Sequence, residues 1–227
     1  EFVIRNAYVL SMDPSLGDID GGDIHVRDGA IVAVGRNVRA PGVMAIEGRD
    51  AIVLPGLVDT HWHMWTTFLR CMAGDETANG YFPVTTDYGV AMNPEDMYRS
   101  TRLAAAEAIY SGTTTVSDEC HNVRSYEHAA ADISALREIG VRARWCFGAY
   151  RGMPADQPRD MASFRRLHAE WSRHSGDGLI HLALTAGGAG TAANPLPPER
   201  LELAKREFAI ARELKLPITT THRGIHT

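Results

Sequence analysis

The segment VLPGLVDTHWH, residues 53–63, is an apolar run that ends in two histidines one residue apart. The run is typical of a buried strand, and Pro55-Gly56 marks a sharp bend near its start. Side chains at positions i and i+2 of a strand point to the same side. We therefore expect His61 and His63 to direct both imidazole rings toward one point beyond the strand end. Because imidazole binds zinc and other divalent first-row metals well, the segment predicts a metal site there.

A His-x-His pair alone is often a surface feature or a hydrogen-bonded core feature, but the longer phrase is more specific. Residues 53–63 resemble the first barrel strand of the amidohydrolase superfamily, in particular the branch of cytosine, guanine and S-adenosylhomocysteine deaminases and triazine hydrolases. The sequence SGTTT at 111–115 and the pair Thr221-His222 carry the same resemblance. The resemblance extends over nearly the whole chain.

Composition and charge bound the function. Apolar residues make up 44% and charged residues 22% of the 227 residues, which is an ordinary globular composition for one large or two small domains. The net charge of −5 argues against a nucleic-acid partner, for which a basic patch is expected. No run of about eighteen apolar residues is present, so the sequence predicts no spanning helix and no membrane partner.

The cysteines indicate a compartment. Cys71, Cys120 and Cys146 are odd in number, widely spaced and free of any CxxC pair. This spacing predicts neither a disulfide framework nor a thiolate zinc site. A reducing, cytoplasmic location is the expectation.

Residues 1–54 are expected to form part of a small β-sandwich. Short strands are predicted at 2–10, 24–27 and 31–34, and Asp28-Gly29 is a strong hairpin signal between the last two. A further strand at 51–54 leads into the histidine segment. The amidohydrolase resemblance also implies such a sandwich, completed in that family by strands from the far C-terminus.

Residues 55–227 alternate between strand and helix patterns. Helices are predicted near 93–112, 126–139, 161–171 and 198–214, and strands near 113–116, 141–149, 179–186 and 216–221. Alternation of this kind predicts an α/β fold with a parallel sheet. Together with the resemblance it indicates the N-terminal part of a (β/α)₈ TIM barrel, with about five strand–helix units present.

A closed barrel of this type takes about 250 residues, whereas residues 55–227 supply about 170. We therefore expect the chain to be part of a longer polypeptide. The resemblance implies a histidine on the sixth strand and an aspartate on the eighth strand of the active site. Neither strand falls in this sequence, so the chain alone is expected to be inactive.

His222 is the third expected metal ligand. It follows the predicted fifth strand, and catalytic groups of these barrels lie at the C-terminal ends of the strands. A solvated loop histidine is the alternative explanation. Three protein ligands and a water form the pattern of an open catalytic site. The sequence thus predicts one divalent metal ion held by His61, His63 and His222, with zinc the first choice and iron the second.

The resemblance also implies a proton-shuttling glutamate three residues after the fifth-strand histidine, but Ile225 stands at that position. Isoleucine cannot carry a proton. His226, one residue further on, is the candidate acid in its place. The alternative is that His226 is simply an exposed histidine.

Four residues are candidate substrate contacts. Glu119 and His121 belong to a polar segment expected to follow the second barrel strand, and Arg151 follows the third. Trp65 lies two residues after His63 and is a candidate for stacking on a flat ring. For Glu119 and His121 the alternative is an ordinary polar loop, and for Trp65 the alternative is a core tryptophan.

The resemblance implies a metal-dependent hydrolase of C–N bonds, which deaminates an amino-substituted nitrogen heterocycle such as a purine, pterin, pyrimidine or triazine-like ring. Water attacks a ring carbon and ammonia leaves. The expected partners are this small molecule and water, and the family suggests a homo-oligomer. Ile225 keeps two alternatives open: a dechlorinase or cyclic-amide hydrolase of the same fold, and a non-catalytic binding remnant.

Overall fold

The structure, a computed structural model, describes residues 1–154, 156–186 and 197–220. The chain divides into two compact units, Glu1–Gly56 and Leu57–Thr227. Among the described residues, no helix combines the length and the apolar character that a membrane crossing needs.

The first unit is built on one five-stranded sheet. Its strands are β1 (Phe2–Leu10), β2 (Asp18–Arg27), β3 (Ala30–Gly35), β4 (Met44–Glu47) and β5 (Ile52–Val53). The order is β3-β2-β1-β4, and β5 also pairs with β1. Asp28 and Gly29 adopt φ of 50° and 75° between β2 and β3. Positive φ at both positions is what a tight hairpin turn requires, so the predicted hairpin is confirmed.

The second unit contains a five-stranded parallel sheet. Its strands are β6 (Leu57–Trp62), β7 (Thr113–Cys120), β8 (Arg142–Phe147), β9 (Ile180–Ala186) and β10 (Ile218–Thr220). They lie side by side in sequence order, and each neighbouring pair is parallel. Parallel strands in sequence order with helices between them form part of a (β/α) barrel, which confirms the predicted fold class.

Six helices accompany this sheet in the described residues: α1 (Tyr81–Ala91), α2 (Pro94–Tyr110), α3 (Tyr126–Ile139), α4 (Met161–Ala169), α5 (Trp171–His174) and α6 (Pro198–Glu213). Two short 3₁₀ turns, Met64–Leu69 and Thr77–Asn79, follow β6. The longer helices begin where the sequence supplies caps. Asn93 accepts hydrogen bonds from the first-turn amides of α2 and forms a capping box with Asp96, and Ser125 caps α3.

The core of the second unit lies between the sheet and the helices. Buried side chains of α2 and α3, such as Met97 and Ile133, pack in the same cluster as Val116 of β7 and Phe147 of β8. Buried residues recur at helical spacing on one face of α2 and of α3, whereas Leu201 of α6 is 44% exposed. This packing fixes the strands whose ends carry the polar side chains described below.

Strand β7 corrects one expectation. The sequence placed Glu119 in a loop after a strand ending near residue 116, but β7 continues to Cys120. The reason is pairing on both sides, since Asp118 lies opposite Trp62 of β6 and opposite Trp145 of β8. Because neighbours along a strand face opposite ways, Asp118 and Glu119 project to different sides of the sheet.

Candidate metal centre

The ends of β6 and β7 bring the histidine pair next to Glu119. Trp62 lies opposite Asp118 in the register of the two strands, so His63 comes level with Glu119. The backbone N–H of His61 donates to Asp59 Oδ1 at 2.9 Å. The N–H of Met64 donates to the buried Asp118 Oδ1 at 3.1 Å. Carboxylates on both sides of the histidine pair therefore fix its backbone.

His63 is oriented by a hydrogen bond from its ring. Its Nδ1 lies 2.7 Å from the carbonyl oxygen of Glu119, and because a carbonyl only accepts, Nδ1 carries the proton. Nε2 is then the ring atom with a lone pair. Metal-ligating histidines typically donate their other ring N–H to a carbonyl or carboxylate in this way. The bond thus assigns the tautomer that a metal ligand needs.

Burial keeps the His63 ring neutral. It lowers the pKa of the imidazole to about 4, although the hydrogen bond to Glu119 opposes the shift, and the nearby rings of His121 and His61 lower the pKa further. A histidine with this pKa is uncharged near pH 7. Since metal ligation requires the neutral imidazole, His63 does not have to lose a proton to bind a cation.

The three donor groups lie close together. One ring nitrogen each of His61 and His63 and one carboxylate oxygen of Glu119 all lie within 4.8 Å of one another. His61 Nδ1 is 3.5 Å from Glu119 Oε1. The two rings are 4.9 Å apart between centroids. Side-chain exposure is 46% for His61 and 3% for Glu119. The donor set of two imidazoles and a carboxylate fits a divalent first-row metal.

Two other predicted residues lie beside this group. The ring of His121 is 4.8 Å from that of His63, and its Nε2 is 3.7 Å from Glu119 Oε2. Burial lowers the pKa of His121. The backbone N–H of Arg151 donates to the carbonyl of His121 at 3.0 Å, and the Arg151 guanidinium lies 5.1 Å from the centre of the Phe82 ring. Strand ends β6, β7 and β8 thus converge on one polar site.

Trp65 lies elsewhere. The side chain is fully buried, with 0% of its surface exposed, and belongs to the core cluster of the second unit. Its backbone carbonyl accepts a hydrogen bond from Ser100 at 2.8 Å. Core packing accounts for this residue. A stacking contact would require the ring to leave that packing, so stacking stays a prediction.

Two predicted residues, His222 and His226, lie outside the described residues, as does Ile225. The structure therefore leaves their ligand and acid roles as predictions.

A buried polar network beneath the site was not predicted. Trp145 Nε1 donates to Asp132 Oδ2 at 2.7 Å, and Thr101 donates to Asp132 Oδ1. Burial raises the pKa of both Asp132 and Asp118, and the charge of Asp132 raises the pKa of Asp118 further. Since Asp118 holds the amide of Met64, this network supports the segment that carries His63. The signal available in the sequence was Asp132 among the apolar positions of the helix predicted at 126–139.

Gly148 allows the close approach of the strand ends. A methyl group at this position would clash with the carbonyl oxygen of Cys120 and lie 2.9 Å from His121 Nδ1. We expect Gly148→Ala to lower the free energy of unfolding by about 1–3 kcal/mol through overpacking and to displace His121. Urea unfolding checks this, and a Gly148→Ala variant as stable as the wild-type protein would contradict it.

Comparisons with known proteins agree with this fold. The amidohydrolase family matches residues 52–220. The 5'-deoxyadenosine deaminase of Methanosarcina barkeri is 32% identical over 149 residues, which are 65% of this chain and 33% of that protein. The 5-methylthioadenosine/S-adenosylhomocysteine deaminase of Nitratidesulfovibrio vulgaris is 29% identical over 228 residues, 96% of this chain and 48% of that protein. The chain belongs to the amidohydrolase family, as the sequence motifs predicted.

Solved structures share the fold. A mutant of atrazine chlorohydrolase from Arthrobacter aurescens, complexed with zinc and atraton, superposes with a TM-score of 0.73 at 19% identity, covering 99% of this chain and 53% of that one. Guanine deaminase from C. acetobutylicum, with bound guanine, superposes with a TM-score of 0.72 at 16% identity. The match covers 96% of this chain and 52% of that one. The chain thus spans about half the length of these proteins, and a third to a half of the deaminases above.

Proposed function

We propose that the protein containing this chain is a metal-dependent hydrolase of C–N bonds that deaminates an amino-substituted nitrogen heterocycle. The observation that carries the proposal is the neutral, oriented His63 beside His61 and Glu119 at the mouth of a parallel barrel sheet. The relatives that are named as deaminases of 5'-deoxyadenosine, 5-methylthioadenosine and S-adenosylhomocysteine support an adenine-type ring as the substrate. Purines, pterins, pyrimidines and triazines belong to the same class of flat aminated rings.

His61, His63 and His222 are the proposed imidazole ligands of one divalent ion. Zinc is the first choice, supported by the zinc complex of the related fold, and iron is the second. When bound, such an ion lowers the pKa of a water and polarises the group under attack. His63 contributes a ring that is already neutral and already aimed by Glu119.

The remaining side chains are proposed to hold the substrate and to move protons. Arg151 places a guanidinium at the same mouth as His121, and its Nε has no hydrogen-bond partner among the described residues. These two groups are suited to hold acceptor atoms of a heterocycle. His226 is retained as the candidate acid, because Ile225 replaces the glutamate that the family resemblance implies.

The domain assignment is part of the proposal. Residues 1–54 would contribute to a β-sandwich and residues 55–227 to the N-terminal part of the barrel. The activity belongs to the whole polypeptide, so we expect residues 1–227 alone to be inactive. The three free cysteines support a reducing, cytoplasmic location. A homo-oligomer remains a proposal from the family.

A second candidate reaction is displacement of a ring substituent other than an amine, such as chloride. Ile225 favours it, because release of chloride requires no protonation of the leaving group, whereas release of ammonia does. Hydrolytic opening of a cyclic amide is a third candidate reaction of the same fold.

Product analysis on the full-length, zinc-loaded protein tests these alternatives. We expect ammonia release from adenosine, 5'-deoxyadenosine or S-adenosylhomocysteine, measured by a coupled ammonia assay. A chlorinated triazine and a cyclic amide, followed by chloride release and acid formation, are the comparison substrates. Chloride or a ring-opened acid without ammonia would replace deamination by the second candidate. Absence of both turnover and stoichiometric metal would contradict the proposal and support a binding remnant.

A further inference from the structure

We propose that Glu119, at the end of the second barrel strand, is itself a ligand of the metal ion rather than a contact to the substrate. The inference rests on the proposed metal centre and goes beyond it by adding a carboxylate from β7. The described residues then supply a His61–His63–Glu119 set without any contribution from the fifth strand.

The first argument is the distance between two donor atoms. His61 Nδ1 and Glu119 Oε1 are 3.5 Å apart. Two ligands that lie about 2.0–2.1 Å from a tetrahedral zinc ion are separated by about 3.4 Å. An ordinary N–H···O hydrogen bond is shorter, about 2.7–3.2 Å. The observed spacing therefore matches a pair that shares a cation better than a pair that shares a proton.

The second argument concerns His63. Because Nδ1 is engaged by the carbonyl of Glu119 at 2.7 Å, the lone pair of the ring is on Nε2. The largest separation within the three-atom set is 4.8 Å, which exceeds the tetrahedral value by about 1.4 Å. Binding of an ion would draw the three groups together and close this gap. Glu119 then acts twice, since its carbonyl orients one ligand and its carboxylate completes the set.

The third argument is the position of the carboxylate among the imidazole rings. The Glu119 side chain is only 3% exposed. One of its oxygens faces His61 Nδ1 at 3.5 Å, and the other faces His121 Nε2 at 3.7 Å. A carboxylate held beside imidazole rings is a donor that zinc accepts.

The test compares cobalt-loaded and zinc-loaded forms of the full-length protein with the variants Glu119→Gln and Glu95→Gln. Glu95 is an exposed glutamate of α2 paired with Arg99, so it controls for loss of a carboxylate far from the site. We expect Glu119→Gln to shift the visible d–d absorption bands of bound Co²⁺. We also expect it to weaken zinc binding, measured by chelator competition, more than about 100-fold, because loss of an outer partner alone costs about 10–100-fold.

An unchanged cobalt spectrum in Glu119→Gln overturns the inference, whatever the zinc affinity, since a ligand has then not been lost. Glu119→Asp is the second variant, to be used if the glutamine variant does not fold. It keeps the carboxylate but shortens its reach, so it should also shift the cobalt bands, whereas a substrate contact would leave them unchanged. A wild-type protein without stoichiometric metal would instead contradict the proposed function, and with it this inference.

Discussion

Replacing His63 with alanine is expected to abolish stoichiometric zinc binding by the full-length protein and to lower kcat/KM by about 10³-fold or more, because the water-activating ion is lost. His63 is the imidazole whose tautomer is fixed by the carbonyl of Glu119 at 2.7 Å and whose burial keeps it neutral. No other described side chain occupies its place between the rings of His61 and His121. Metal analysis after dialysis and steady-state kinetics measure the two effects.

His181→Ala is the matched control. His181 lies on β9 and is exposed, so its removal should change neither metal content nor kcat/KM. Unfolding of both variants by urea separates a loss of ligand from a loss of fold. If His63→Ala retained one zinc per chain and its activity, the histidine pair would not be the metal centre.

Replacing Asp132 with alanine is expected to lower the free energy of unfolding by about 3–5 kcal/mol, the range for breaking a buried charged network. Asp132 is fully buried and accepts hydrogen bonds from Trp145 Nε1 at 2.7 Å and from Thr101. Its removal leaves both donors buried without a partner, at a cost of about 1–3 kcal/mol each. Asp118 loses its neighbour as well, and Asp118 holds the backbone after His63.

The variant Asp132→Asn keeps the hydrogen-bond network but removes the carboxylate. The amide oxygen still accepts from Trp145, and the Thr101 hydroxyl can turn to accept from the amide NH₂, so a loss of about 1–1.5 kcal/mol is expected. Asp87→Ala, at an exposed position of α1, should change stability by less than about 0.5 kcal/mol. Urea unfolding measures all three variants. Equal stabilities for the alanine variants at positions 132 and 87 would contradict the structural role of the network.

The sequence was most informative where a local pattern carries the chemistry. The spacing of His61 and His63 places both rings on one side of a strand, and the Asp28-Gly29 turn was predicted for the same kind of local reason. The alternation of strands and helices from residue 55 onward was sufficient to predict a parallel sheet in sequence order. These features depend on backbone geometry within a few residues.

The sequence was least informative where register between distant strands decides the contacts. The position of Glu119 beside His63 follows from the pairing of Trp62 with Asp118, which lie 56 residues apart. No pattern within a short stretch of sequence predicts that pairing. Strand β7 runs to Cys120 because two neighbours pair with it, although its polar end resembles a loop. Helix α1 (Tyr81–Ala91) was not predicted, because glycine, proline and threonine interrupt its apolar face.

The paired burial of Asp118 and Asp132 was not predicted for a related reason. An isolated aspartate is usually exposed, and only the packed structure reveals that a tryptophan and a threonine donate to Asp132 and that a backbone amide donates to Asp118. Trp65 illustrates an alternative that the sequence left open, since its side chain lies in the core and its stacking contact stays a prediction.

The most direct test of the metal centre is a crystal structure of the zinc-loaded full-length protein, with anomalous diffraction recorded on both sides of the zinc absorption edge. We expect one anomalous peak at the ends of β6 and β7, about 2.0–2.1 Å from a ring nitrogen of His61 and from Nε2 of His63. A zinc ion bound elsewhere in the molecule, with His61 and His63 uncoordinated, would contradict the account.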